Sequence, residues 1–139
     1  MGCENIFYIK IKKDNSWAFL PLIKENDFGD RELAYFCFCG WEILDIIKDY
    51  AQPTFLTDED YEATGYEKDE DYNDISSYEM SYALIKYLAA KEYSEEKDPE
   101  EDIKRLWTEV DTMIAAGLEF AGYGWKHIDD VKILIIANF

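Results

Sequence analysis

One histidine, three cysteines and fourteen basic residues are a thin supply of reactive groups for a chain of 139 residues. The histidine, His127 in "GYGWKHIDD", stands beside Asp129 and Asp130. No motif sets a serine or cysteine nucleophile against it, so it reads as a loop histidine and not as a catalytic base. Cys3, Cys37 and Cys39 make no even framework, which argues against a disulfide-stapled secreted fold and for a reducing, cytoplasmic setting. The pair in "CFC" offers two thiols on one face. Zinc wants four ligands, and only Cys3 and His127 remain to complete a set, so buried apolar cysteines are expected. No apolar run has the length of a signal segment or a bilayer span. "MGC" hints at acylation of Gly2, but Ile6 stands where the motif calls for serine or threonine. "GYG" (Gly122–Gly124) lacks the lysine and the strand-to-helix setting of a phosphate loop. Repeats and linkers are also missing. Enzyme chemistry has little to stand on.

Acid, by contrast, is abundant. Thirty-one carboxylates against fourteen bases give a formal charge of −17, which repels nucleic acids and anionic membranes at long range. The charge is uneven. Residues 1–57 carry nine acids and six bases, residues 58–102 carry seventeen and four, and residues 103–139 carry five and four, for −3, −13 and −1. A general adaptation to salt would spread the acids, so this charge has a local reason. Its densest part is "DEDYEATGYEKDEDYND" (58–74), with nine acids, three tyrosines and one lysine. Asp58, Asp60 and Glu62, and again Asp69, Asp71 and Asn73, have the alternate spacing of a calcium loop. Ala63 and Asp74 occupy the glycine positions, and Met80 replaces the closing glutamate. No metal or cofactor is expected.

With 48% hydrophobic and 17% aromatic residues, the chain is globular and is expected to form one compact acidic α+β domain over residues 1–139. "NIFYIKIKK" (5–13) alternates Phe7, Ile9 and Ile11 with Tyr8, Lys10 and Lys12, a half-buried strand. "DNS" is turn chemistry, and "WAFLPLI" (17–23) is the return strand of a hairpin. The segment 33–39 fits either a strand or a helix; 41–50 is a helix closed before Pro53. Residues 58–74 have no clean period and read as irregular or as short helical turns. "SSYE" matches a capping box, with Ser76 as cap, Glu79 answering it and an Ile75–Met80 staple, which predicts a largely buried helix to Tyr93. "DPEE" opens a further helix from Pro99 to about Ala121, stopped at Gly122. "DVKILIIANF" is a buried strand. Together these predict a small antiparallel sheet of the N-terminal hairpin and the C-terminal strand, with about three helices inserted between them.

Charge of this density is self-repelling, and a basic partner would relieve it. Seven of the eleven tyrosines lie between residues 61 and 93. Tyr61, Tyr66 and Tyr72 are set among acids, where no packing role is evident. Carboxylates alternating with aromatic rings imitate phosphates alternating with bases, which a groove of arginine, lysine and stacking side chains is built to hold. The expected partner-binding face is Asp58, Glu59, Asp60, Tyr61, Glu62, Tyr66, Glu67, Asp69, Glu70, Asp71, Tyr72 and Asp74, with Glu95 and Glu96 from the second acidic run. The expected function is non-enzymatic inhibition of a basic nucleic-acid-binding protein, such as a nuclease, by nucleic-acid mimicry. In composition the chain is like small acidic phage proteins that act against restriction enzymes and CRISPR nucleases. Immunity protein or antitoxin against a basic toxin nuclease is a second expectation, and acidic adaptor in a larger assembly a third. A solvated charged face is the plain alternative. Under all of these the protein itself binds neither nucleic acid nor membrane.

Overall fold

Asp14 and Asn15 have left-handed backbone, at φ 51° and 69°. Such a pair is what a two-residue type I′ hairpin turn requires, and these are the side chains other than glycine that best tolerate it. The turn joins β1 (Glu4–Lys13) to β2 (Ser16–Phe19), with Lys13 opposite Ser16 and Lys10 opposite Phe19. The computed structural model describes residues 2–20, 23–25, 31–33, 35–66, 75–91, 98–122 and 125–138. Among them a short antiparallel pair, β3 (Ile23–Glu25) and β4 (Arg31–Leu33), follows the hairpin. Then come β5 (Phe36–Cys39), α1 (Trp41–Tyr50), β6 (Gln52–Pro53), α2 (Asp58–Thr64), β7 (Ile75–Ser81), α3 (Tyr82–Ala90), α4 (Asp98–Phe120), a 3-10 turn (Trp125–Asp130) and β8 (Val131–Asn138). The main sheet is antiparallel and runs β2-β1-β8-β7-β6, with β5 pairing the first half of β1. Both chain ends thus meet in one sheet with helices inserted between them, the predicted α+β arrangement; four α-helices fill the place of about three.

Four expectations need correction. The return strand is β2 alone, ending at Phe19, and Ile23 belongs to the separate β3. β1 is buried on both faces from Asn5 to Ile11, not on one. Its polar face is covered because Tyr8 stacks against Tyr35 (5.8 Å) and Lys10 lays its stem and ammonium over the Phe19 ring (4.7 Å). The "SSYE" motif caps nothing: Ile75–Ser81 is strand β7, and Ser81 is the cap of α3, its hydroxyl accepting from Leu84 N–H at 3.2 Å. In "SYEMSY" the buried Tyr78, Met80 and Tyr82 alternate with Ser77, Glu79 and Ser81, so the period of two prevails over the local capping pattern. α3 then buries Tyr82, Ile85 and Leu88 and leaves Tyr87 exposed, a one-sided helix in place of the buried one predicted.

The chain packs as two compact units. The first comprises residues 1–8, 21–79 and 134–139. Its buried side chains include Phe7, Leu44, Ile47, Tyr78 and Ile135. Phe7 meets the rings of Phe36 and Phe38 at 5.2 and 5.4 Å. The fully buried amide of Asn5 donates to the carbonyls of Phe38 (2.8 Å) and Gly40 (3.1 Å), pinning β5 where it turns into α1. Gly40, at φ 131°, makes a turn there that side chains resist.

The second unit comprises residues 9–20 and 80–133. α4 buries Leu106, Trp107, Val110, Ile114 and Leu118 at helical spacing and packs against α3. Tyr82 Oη donates to Asp111 Oδ1 at 2.6 Å and Lys86 Nζ reaches the same oxygen at 3.3 Å, so one carboxylate of α4 ties down two side chains of α3. The helix ends at Gly122, whose φ of 75° matches the predicted stop.

Candidate acidic interface

The first unit holds the described part of the acidic segment, and much of it is helical. Thr57 starts α2: its hydroxyl accepts from Asp60 N–H (3.1 Å), and the Asp60 carboxylate accepts from Thr57 N–H (3.0 Å), a reciprocal capping box. Gly65 ends it in the left-handed conformation, φ 79°, donating to Tyr61 O at 3.0 Å. Seven residues suffice because both ends are satisfied. The helix also settles the calcium-loop spacing. Asp60 is two residues from both Asp58 and Glu62, about 200° around a helix axis, so it points away from the face that those two share.

Four acids of this helix therefore have different surroundings. Asp60 is 4% exposed and serves its own helix. Asp58, Glu59 and Glu62 are exposed. Asp58 and Glu59 stand in the first turn, where the amide dipoles favour negative charge. Glu62 stands in the last turn, which has no basic residue. There the dipole opposes it, and Asp58 lies four residues back on the same face. The helix gains nothing from the Glu62 charge.

The tyrosines differ from the expectation. Tyr61 is half-buried. Tyr66 is half-buried too, and its hydroxyl is pushed up to about 12, mainly by burial and then by the nearby Glu4, Tyr35 and Cys37. Its ring is thus partly withdrawn from solvent and not fully presented to a partner. The exposed aromatic beside α2 is one that charge-based reading missed: Phe55, which is 96% exposed and two residues before the cap. Thr54 N–H donates to Ser77 O (3.0 Å) and Ser77 Oγ to Thr54 O (2.5 Å), which fixes the strap carrying Phe55 to β7. Its signal was an aromatic between Pro53 and the cap in "PTFLT", where neither helix nor strand period demands one. Glu67, Asp69, Glu70, Asp71, Tyr72, Asp74, Glu95 and Glu96 lie outside the described residues.

The other candidate groups are apart from this helix in sequence. The His127 backbone belongs to the 3-10 turn. Cys37 and Cys39 are exposed on β5, contrary to the expected burial, because it is Phe36 and Phe38 that turn towards Phe7; Cys3 is buried. Among the described residues, no group of three or more histidine, cysteine, aspartate or glutamate side chains could hold a metal ion, and no helix is long and apolar enough to cross a membrane. Comparison with protein families, with curated proteins and with solved structures finds no match to this chain.

Proposed function

We propose that this protein is a non-enzymatic, cytoplasmic inhibitor that binds a basic nucleic-acid-binding protein, such as a nuclease, in place of its nucleic acid. The observation that carries this reading is Glu62. Burial and capping account for Asp60, and the helix dipole accounts for Asp58 and Glu59, but the exposed Glu62 works against the helix that bears it. A charge kept where it opposes its own helix is accounted for by a partner that supplies the opposite sign. The exposed carboxylates stand beside an exposed ring, Phe55, within a region that carries −13 of the −17 charge. That combination suits a groove made to hold phosphates and to stack bases.

The test is competition. The protein is immobilised, basic proteins are captured from an extract of a nuclease-bearing host, and the retained protein is purified. Its DNA or RNA binding is then measured with and without this chain. The expected result is mutually exclusive binding, with the inhibitor displaced by added nucleic acid and both complexes weakened at high salt. A gel shift showing that this chain alone binds nucleic acid tightly, or a partner that holds both ligands at once, overturns the reading.

A further inference from the structure

Independently of that reading, we propose that Cys37 and Cys39 form a bidentate dithiol site for a soft, thiophilic metal ion. The two residues are successive outward positions of β5, both exposed, and their sulfurs lie 3.7 Å apart. Two thiolates bound at about 2.3 Å to a tetrahedral ion stand about 3.8 Å from each other. The pair is therefore already at chelating distance without any movement of the strand. A disulfide, at about 2.05 Å, would require the sulfurs to close by roughly 1.6 Å across Cα atoms that an extended strand holds near the outer limit for such a bond.

The frame around the pair is rigid. Beneath it Asn5 holds the backbone of Phe38 and Gly40, and Phe36 and Phe38 are fixed on the opposite face by Phe7. The surroundings favour a cation. Glu4 is exposed and pairs directly with Cys39 across the strands, which puts its side chain on the thiol face. Burial, the Cys39 thiol and the Glu4 charge together push the Cys37 thiol up to about 11. Cys3 is likewise raised by burial, then Cys39, with Lys48 opposing and Glu4 adding to the rise. Where a thiol binds the ion, its S–H bond breaks, a metal–sulfur bond forms in its place, and the proton leaves to solvent. Two sulfurs leave the remaining coordination positions to water, so the site takes up an exchangeable ion and does not act as a structural clasp.

The probe is Cd²⁺ alone, added to the reduced full-length protein and followed by its thiolate charge-transfer absorbance. Expected are one ion per chain and a loss of about a hundredfold or more in Cys37→Ser and in Cys39→Ser. Both positions are exposed, so both variants fold, which circular dichroism checks. Cys3→Ala retains binding. The proposal is overturned by absence of the band, by one ion shared between two chains, by serine variants that bind as well as wild type, or by a signal that depends on Cys3.

Discussion

Two sets of carboxylates in α2 should respond in opposite ways to removal of charge. Asp60→Ala deletes one half of the capping box and leaves Thr57 N–H without its 3.0 Å acceptor. Loss of a cap costs about 0.5–2 kcal/mol, and Thr57 is exposed so that its N–H can turn to water, which leaves about 1 kcal/mol of stability expected to go. Asp58→Asn, Glu59→Gln and Glu62→Gln together should be nearly neutral for stability. The first two forfeit a dipole interaction of about 0.3–1 kcal/mol each, whereas the third removes an opposed charge and relieves the repulsion between Asp58 and Glu62. Binding reverses the order. At about 0.5 kcal/mol per exposed carboxylate in low salt, the triple variant loses about 1.5 kcal/mol, close to tenfold, chiefly in association rate. The gap should narrow as the Debye length falls from about 30 Å at 0.01 M salt to about 8 Å at 0.15 M. Urea unfolding reads the first quantity, and stopped-flow association with the captured partner across a salt series reads the second. A triple variant that associates like wild type with the same salt slope would refute the assignment of α2 to the interface. An Asp60→Ala protein of unchanged stability would refute the division between the two sets.

Two further outcomes test the first unit. Asn5→Ala leaves the Phe38 and Gly40 carbonyls without their amide donor and should lower the urea midpoint by the equivalent of about 2–4 kcal/mol; an unchanged midpoint removes the amide from the account of that corner. At alkaline pH, Tyr66 and Cys37 keep their protons in the folded protein to about 12 and about 11, against ordinary values of 10.0 and 9.0. Between about pH 9 and 12 the unfolded chain therefore binds fewer protons than the folded one, so stability falls as pH rises, by at most about 1.4 kcal/mol per unit for each proton and by less for the exposed Cys37. In urea midpoints taken over this range, Tyr66→Phe should flatten the slope above pH 10 and Cys37→Ser the slope just above pH 9.

Where periodicity ran long, sequence and structure agree. α1 occupies the predicted Trp41–Tyr50, α4 lies within two residues of its expected bounds, and β8 is the buried C-terminal strand. The failures are cases in which one cue stood for two structures. Ser76 and Glu79 satisfy the spacing of a capping box, yet Tyr78, Met80 and Tyr82 alternate in the same window, and burial of large side chains outweighs a cap of about 1 kcal/mol. In α2 the cue was present but short: Thr57 and Asp60 bracket a helix with no apolar period, so it reads as charge until the reciprocal bonds are seen. The same ambiguity governs the acids as a group. By composition Asp58, Glu59, Asp60 and Glu62 are equivalent, and none could be ranked above another as a contact. Folding separates them, because a helix has two electrically different ends and a cap has one buried acceptor. Only after the fold has claimed Asp60 for its cap and taken benefit from Asp58 and Glu59 does Glu62 stand out, among the described residues of α2, as the acid that its own helix does not favour. Carboxylates of that kind, exposed and unfavourable where they sit, are the ones on which the proposed interface rests and which the triple variant puts to the test.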